Sequence, residues 1–227
     1  MTTTPSLTLH TYFRSSSAAR LRIALNLKGL EYRPVYVNLG TNEQHTPAYL
    51  ALNPSGTVPL LVHHAERGDI SIGQSAAALE YLEEAFASAT PLLPPLDDQA
   101  GRAFVRELVS VVVADMQPVT SLRLQAAIGE GGMDKVEWAK TWTARGLVVY
   151  ETLLSRESRK AGRFSYGDSP TLADACLVPA LWNAAWLGLD LEKFPRLNDV
   201  FKEMQALQAV ENAHWKSQGD TPADLKA

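Results

Sequence analysis

The sequence has 227 residues, of which 46% are hydrophobic and 20% charged, with a net charge of −4. These values are ordinary for a soluble globular protein, and the negative charge gives no electrostatic reason to expect binding of nucleic acid or an anionic membrane surface. No segment has the features of a signal peptide or a membrane span. The only cysteine, Cys176, excludes an intrachain disulfide and indicates a reducing compartment, so we expect a cytoplasmic protein.

The first part of the chain mixes short strands and helices in the predicted order β-α-β-(α)-β-β-α. Strands are predicted over 7–12, 32–39, 57–62 and 69–72, and helices over 18–28, 45–52 and 74–87. Gly29 follows the first helix in the position of a C-terminal cap. Pro34 lies inside the second strand and predicts a sheet edge, because proline has no N–H for a central ladder. This order is compatible with a thioredoxin-like layer.

A proline-rich linker over residues 88–97 ends the mixed pattern. Helical periodicity then covers 98–128, 134–157, 171–187 and 196–209, with Pro118 and Pro179 as expected kinks or breaks. Thr171 and Asp174 are spaced as a capping box that begins the third of these helices. The predicted architecture is therefore α/β followed by all-α, with a thioredoxin-like domain over 1–87 and an all-helical domain over 98–227.

Three consecutive serines, Ser15, Ser16 and Ser17, stand between the first predicted strand and the first predicted helix. A hydroxyl cluster at a strand-to-helix turn favours two interpretations. It can cap the helix, or it can donate hydrogen bonds to an anion held at the positive helix end. The serine pattern alone is compatible with both.

Other site chemistries find no support in the sequence. His63 and His64 are adjacent on a predicted strand, so their side chains diverge, and we expect no metal site. The glycine fingerprint of a dinucleotide site is also missing.

The chain resembles the cytosolic glutathione transferases, and within them the zeta class, which contains maleylacetoacetate and maleylpyruvate isomerases. The likeness to the whole family rests on Ser15–Ser17, on the pairs Val58-Pro59 and Gln74-Ser75, and on the Thr171/Asp174 box. The likeness to the zeta class rests on residues 12–16, 20–29, 51–54, 80–84, 167–168 and 220–222. The resemblance implies a thioredoxin-like domain, a C-terminal helical glutathione-transferase domain, glutathione as cofactor and a homodimer.

The same resemblance assigns the glutathione contacts. They are Ser15, Ser16, Ser17, Gln44, Val58, Pro59, Gln74, Ser75 and Gln117. In this assignment Pro59 is cis, Val58 binds the cysteinyl unit through its backbone, and Ser75 binds the γ-glutamyl carboxylate. Ser15 is the first candidate for thiol activation and Ser16 the second, with Arg14 as a further catalytic residue.

Thiol activation of this kind needs a modest free energy. A free thiol with a pKa near 8.5 is only about 3% ionised at pH 7, and lowering its pKa by about two units requires roughly 2.7 kcal/mol. One or two charge-assisted hydrogen bonds, at about 1.5–3 kcal/mol each, are sufficient.

The sequence departs from the zeta pattern where substrate recognition is concerned. Ser17 and Ala19 replace the usual cysteine and tryptophan, and Trp186 stands where zeta isomerases typically have an arginine for a substrate carboxylate. Arg14 and Arg123 remain as candidate anion partners on the substrate side.

The function that this resemblance implies is glutathione-dependent cis–trans isomerisation of maleylacetoacetate-type substrates in aromatic amino-acid catabolism. One alternative, supported by Trp186, is a glutathione transferase that conjugates or dehalogenates other small electrophiles. Another is a non-catalytic binding or scaffold protein of the same fold.

Overall fold

The computed structural model describes residues 5–156 and 162–226. The chain forms two compact units, one from Met1–Pro91 together with Gln208–Ala227 and the other from Leu92–Leu207. Residues 208–226 thus pack with the first unit, whereas the sequence placed them in the helical domain over 98–227. In the described part of the chain, no helix has both the length and the apolar character needed to cross a bilayer.

The first unit has the predicted order of strands and helices. Its elements are β1 (Leu7–Thr11), α1 (Ser16–Lys28), β2 (Arg33–Tyr36), α2 (Pro47–Leu52), β3 (Leu60–Ala65), β4 (Gly68–Ile72) and α3 (Ser75–Ala85). Their bounds differ from the predicted ones mainly in two strands. β2 is shorter than the predicted strand over 32–39, and β3 begins and ends later than the predicted strand over 57–62.

The four strands form one mixed sheet in the order β2-β1-β3-β4. β1 pairs in parallel with β2 and antiparallel with β3, so that Thr8 faces Arg33 on one side and Val62 on the other. β2 is an edge strand, as Pro34 predicted, because the missing N–H is tolerated there. The chain leaves β1, one of the two internal strands, directly into the serine turn, which places that turn at the end of a strand paired on both sides.

Helix α1 is largely buried in the core of the first unit. Its Leu21, Ile23 and Leu25 are completely buried, and the helix contacts both α3 and the later helix α9 (Gln208–Ala213). It ends at Gly29, which adopts the left-handed conformation with φ of 67° and donates its N–H to the last turn. Gly29 is therefore the predicted cap, suited to a positive φ that other residues reach only with strain.

The second unit is helical. Its helices are α4 (Gln99–Ser110), α5 (Leu122–Glu130), α6 (Lys135–Arg156), α7 (Leu172–Trp186) and α8 (Pro195–Gln205). After α9, the short helix α10 (Ala223–Lys226) ends the described chain. Glu157, the predicted last residue of the second helix, lies outside the described residues.

Two predicted helices are divided in the structure. The stretch 98–128 changes to a π-helical segment at Val111–Met116 and breaks at Pro118, whose ring and missing N–H cannot continue the ladder, before α5 begins. The stretch 196–209 ends at Gln205, and α9 begins separately at Gln208. By contrast, α7 continues through Pro179 and is buried on nearly all sides. The predicted capping box of Thr171 and Asp174 is confirmed.

Candidate active site

The serine turn, residues 12–15, begins α1 with a side-chain cap. Ser15 Oγ accepts a hydrogen bond from Ala18 N at 3.1 Å, and Ser15 N donates to the Tyr12 carbonyl at 3.0 Å. The cap occupies a lone pair of Oγ and leaves the hydroxyl proton available to a further acceptor. The capping and anion-binding interpretations of Ser15 are thus compatible, because one atom can serve both.

A buried arginine holds the backbone of this turn. Arg22 donates through Nη1 to Thr11 Oγ1 at 2.8 Å and to the Tyr12 carbonyl at 3.2 Å, and through Nη2 to the Phe13 carbonyl at 3.3 Å. Its Nε donates to the carbonyl of Ala213 in α9 at 3.1 Å. Burial lowers the pKa of Arg22 to about 10, so the guanidinium remains charged at neutral pH.

The Val58–Pro59 peptide bond is cis, as the family resemblance implied. Val58 is buried, and the carbonyl of the preceding Thr57 accepts bonds from Tyr49 Oη at 2.8 Å and Asn53 Nδ2 at 2.7 Å. These bonds fix the chain just before β3, where Val58 is the predicted partner of an extended ligand.

Gln44 lies in a short helical turn before α2 and is only 9% exposed. Its Nε2 donates to Asn42 Oδ1 at 3.4 Å, whereas its Oε1 is buried and has no hydrogen-bond partner among the described residues. A buried acceptor of this kind is suited to an N–H donor from a bound molecule.

Ser75 is the first residue of α3 and is almost fully buried, and Gln74 occupies the N-cap position. Ser75 Oγ accepts a hydrogen bond from Arg20 Nη1 at 3.1 Å. Arg20 lies on α1 four residues after Ser16, on the same helical face and one turn away. Arg20 therefore joins α1 to the N-terminal end of α3 by a buried hydrogen bond.

The remaining predicted residues lie in the second unit. Gln117 follows the π-helical segment, and Arg123 is an exposed residue in the first turn of α5. Trp186 is the last residue of α7 and is 55% exposed. Arg14, in the first unit, is half-buried, and its guanidinium lies 5.9 Å from the ring centre of Trp215.

Sequence reasoning missed Arg20 and Arg22 as parts of this region, together with Asp220, whose Oδ2 accepts a hydrogen bond from Phe13 N at 2.9 Å. The two arginines carried a usable signal, since charged residues inside an otherwise apolar helix are buried only when they have partners. Asp220 belongs to residues 220–222, which resemble the zeta class, but that likeness does not show what the side chain contacts.

No metal centre is apparent in residues 5–156 and 162–226, where no three histidine, cysteine or acidic side chains form a cluster that could hold an ion. The two adjacent histidines diverge, as the strand pattern predicted. His63 Nδ1 pairs with Tyr81 Oη at 2.6 Å, whereas His64 bonds Thr8 and Asp69.

Comparison with known proteins identifies the family. Residues 14–85 match the model described as "Glutathione S-transferase, N-terminal domain", and residues 119–208 match "Glutathione S-transferase, C-terminal domain". The chain is 48% identical to maleylacetoacetate isomerase maiA of Aspergillus fumigatus, over 99% of this chain and 96% of that protein.

Solved structures give the same result. A bacterial maleylpyruvate isomerase described as a zeta-class glutathione S-transferase, in its holo form, has a TM-score of 0.87 and 36% identity, covering 95% of this chain and 100% of the other. Maleylacetoacetate isomerase of Anaeromyxobacter dehalogenans, with dicarboxyethyl glutathione and citrate in its active site, has a TM-score of 0.86 and 40% identity, covering 98% and 96%. The chain therefore belongs to the glutathione S-transferase family, and within it to the zeta-class maleylacetoacetate and maleylpyruvate isomerases.

Proposed function

We propose that this protein is a glutathione-dependent cis–trans isomerase of maleylacetoacetate-type substrates. The observation that carries the proposal is the 48% identity with a maleylacetoacetate isomerase over nearly the full length of both chains. Three local features of the first unit support it: Ser15 caps α1, the Val58–Pro59 bond is cis, and Ser75 is the first residue of α3.

The residues of the first unit fit glutathione. The buried Oε1 of Gln44 offers an acceptor for a peptide N–H, and the backbone of Val58 offers strand-like pairing to the cysteinyl unit. Ser75 presents a hydroxyl and a backbone N–H at the start of α3, where a carboxylate is favoured by the helix dipole, and Gln74 adds an amide. When bound, glutathione supplies a thiolate that adds reversibly to the cis double bond and leaves after rotation about the resulting single bond.

Ser15 has the assigned task of stabilising the thiolate. Its hydroxyl proton is available because the Ala18 N–H occupies a lone pair of Oγ, and donation into that oxygen strengthens it as a donor. Ser16 and Ser17 lie in the first turn of α1, where the helix dipole also favours negative charge. Arg14 is assigned to the substrate, where it would hold a carboxylate and stabilise the charge that develops on the conjugated carbonyl oxygen.

In the second unit we assign Gln117 to glutathione and Arg123 to the substrate, by resemblance to the zeta class. Trp186 favours a second candidate function. Because an indole is uncharged and has a single N–H donor, it cannot form the bidentate ion pair that an arginine makes with a carboxylate, and its presence supports a glutathione transferase acting on an electrophile that has fewer carboxylates.

Product analysis separates these functions. Maleylacetone, dichloroacetate and a chloronitrobenzene are each incubated with the protein and glutathione, and the products are identified by mass. We expect isomerised maleylacetone with unchanged mass and no net consumption of glutathione. Conjugates or dehalogenated products without isomerisation would support the second function. Failure to bind immobilised glutathione would support a non-catalytic protein.

The resemblance is also the basis for proposing a homodimer, for which light scattering should give twice the mass of the chain. We further propose a cytoplasmic location, supported by the single, buried Cys176 and by the need for reduced glutathione.

A further inference from the structure

The last part of the chain packs against α1, β2 and the serine turn. The C-terminal segment, residues 208–226, begins with α9, which contacts α1. Further along, Gly219 N donates to Tyr36 Oη at 3.1 Å. A Cβ on Gly219 would lie 2.6 Å from that oxygen, so a side chain at this position would displace the Tyr36 ring.

Asp220 follows Gly219 and contacts the turn directly. Its Oδ2 accepts the hydrogen bond from Phe13 N, which is two residues before Ser15 in sequence and 207 residues from Asp220. The other oxygen, Oδ1, is buried and makes no hydrogen bond to any described residue. Burial raises the pKa of Asp220, with the charge of Arg22 acting in the opposite direction. Burying a carboxylate with one oxygen left without a partner costs free energy.

The contact completes the restraint of the turn. Arg22 already holds the carbonyls of Tyr12 and Phe13, and the Ser15 N–H closes the turn on the Tyr12 carbonyl. Asp220 holds the remaining Phe13 N–H from the opposite end of the chain. With the carbonyls of Tyr12 and Phe13 and the N–H groups of Phe13 and Ser15 all bonded, the backbone that positions Ser15 Oγ has little freedom to shift.

We propose that Asp220 is a positioning residue for the serine turn, and that its hydrogen bond to Phe13 sets the place of the Ser15 hydroxyl relative to the thiol. The inference rests on the proposed function, since it assigns a task to Asp220 in thiol activation. A displacement of about 1 Å in a catalytic group can reduce the rate about 100-fold, so the loss of a single backbone hydrogen bond that positions Ser15 should lower the rate measurably.

The sign of the effect distinguishes positioning from a simple electrostatic field. A negative charge near the site raises the pKa of a bound thiol, so a field effect predicts a lower thiol pKa when Asp220 is neutralised. Positioning predicts the reverse, because the misplaced Ser15 hydroxyl donates less well to the thiolate. It also predicts that asparagine, which keeps an acceptor oxygen, substitutes better than alanine.

The experiment measures the thiol pKa of bound glutathione from the ultraviolet absorbance of the thiolate, together with kcat and KM for isomerisation. For Asp220→Ala we expect a thiol pKa higher by about 1 unit and a kcat lower by about tenfold, with KM for glutathione changed less than about threefold. For Asp220→Asn we expect most of the wild-type values. Asp220→Glu retains the charge but moves the carboxylate, and should resemble alanine. Asp220→Glu therefore tests the proposal if the Asp220→Ala protein does not fold.

Asp224→Asn is the matched control, since Asp224 is an exposed acid of the same segment, in α10. We expect it to leave the thiol pKa and kcat unchanged. The inference is overturned if Asp220→Ala lowers the thermal midpoint with the thiol pKa and kcat intact, or if the neutral variants Asp220→Ala and Asp220→Asn both lower the thiol pKa. A wild-type protein that binds no glutathione or shows no lowered thiol pKa contradicts the proposed function instead, and that result is seen before any variant is compared.

Discussion

Arg20 Nη1 donates a hydrogen bond to Ser75 Oγ at 3.1 Å, between two side chains that are both buried. A guanidinium has only donors, so Ser75 must accept from it, and the Ser75 hydroxyl proton points elsewhere. As a result, the Ser75 hydroxyl can donate its proton to a carboxylate bound at the start of α3. The Arg20 guanidinium also places a positive charge next to Ser75.

This relationship predicts that Arg20 and Ser75 act as one unit in binding glutathione. Arg20→Met and Ser75→Ala should each raise KM for glutathione about tenfold with a smaller effect on kcat. The double variant should be little worse than either single one, giving a coupling of about 1 kcal/mol in a double-mutant cycle measured by steady-state kinetics.

The control for this cycle is Arg33→Met, which removes an exposed arginine from β2 and should leave KM unchanged. Urea denaturation of each variant checks that the proteins remain folded under assay conditions. Strictly additive effects of Arg20→Met and Ser75→Ala would show that the hydrogen bond does not contribute to ligand binding.

Ser15 offers a way to separate capping from thiol activation. Glycine at an N-cap position is less stable than serine by only a few tenths of a kcal/mol, whereas alanine is worse by about 1 kcal/mol. Ser15→Gly should therefore keep most of the stability but lose the hydroxyl, with a thiol pKa higher by about 2 units in a titration of bound glutathione.

Ser15→Ala should show the same rise in thiol pKa together with the larger loss of stability. Ser16→Ala is the comparison variant, and we expect it to change the thiol pKa by less than Ser15→Gly does. A larger effect at Ser16 would assign the activating hydroxyl to that residue and contradict the order of candidates.

The local features of the fold were predictable because short-range chemistry determines them. Gly29 ends α1 as a left-handed cap, and Pro34 lies on an edge strand, as their conformational limits require. The break at Pro118 was predicted, but the π-helical segment Val111–Met116 before it was not, because the apolar period continues across that segment. Periodicity shows which residues face the core and says little about where the backbone hydrogen bonding changes.

In the candidate site, too, the local features were predictable and the long-range contacts were not. The serine cap depends on neighbours in sequence and was predicted, and the cis Val58–Pro59 bond followed from family resemblance. Arg20 and Ser75 are 55 residues apart, and Phe13 and Asp220 are 207 apart. Such pairs depend on how the helices and the C-terminal segment pack, which no local pattern encodes.

Asp174 should be important for the stability of the second unit. Its Oδ1 accepts from Ser165 N at 2.8 Å, and its Oδ2 accepts from both the N–H and the hydroxyl of Thr171, at 2.7 and 2.8 Å. Asparagine would place an NH₂ group against one of these sets of buried donors. We expect Asp174→Asn to lower the free energy of unfolding by about 3 kcal/mol in urea denaturation.

Asp199→Asn makes the same chemical change at an exposed position on α8 and should alter the free energy of unfolding by less than about 0.5 kcal/mol. Equal stability of the two variants would show that the Asp174 contacts make no net contribution.

Trp186 provides the test of substrate selection. If the site lacks a partner for the second substrate carboxylate because Trp186 replaces an arginine, Trp186→Arg should restore that partner. The variant should then prefer maleylacetoacetate, which has two carboxylates, over maleylacetone, which has one. We expect the ratio of kcat/KM for the two substrates to rise about tenfold, the value of one charge-assisted contact. Because Trp186 is 55% exposed, the substitution should change stability little.

Trp186→Gln removes the ring without adding charge and should leave the ratio unchanged. An equal rise in both variants would mean that the indole obstructs the larger substrate sterically, and that an arginine at this position is not what the site lacks.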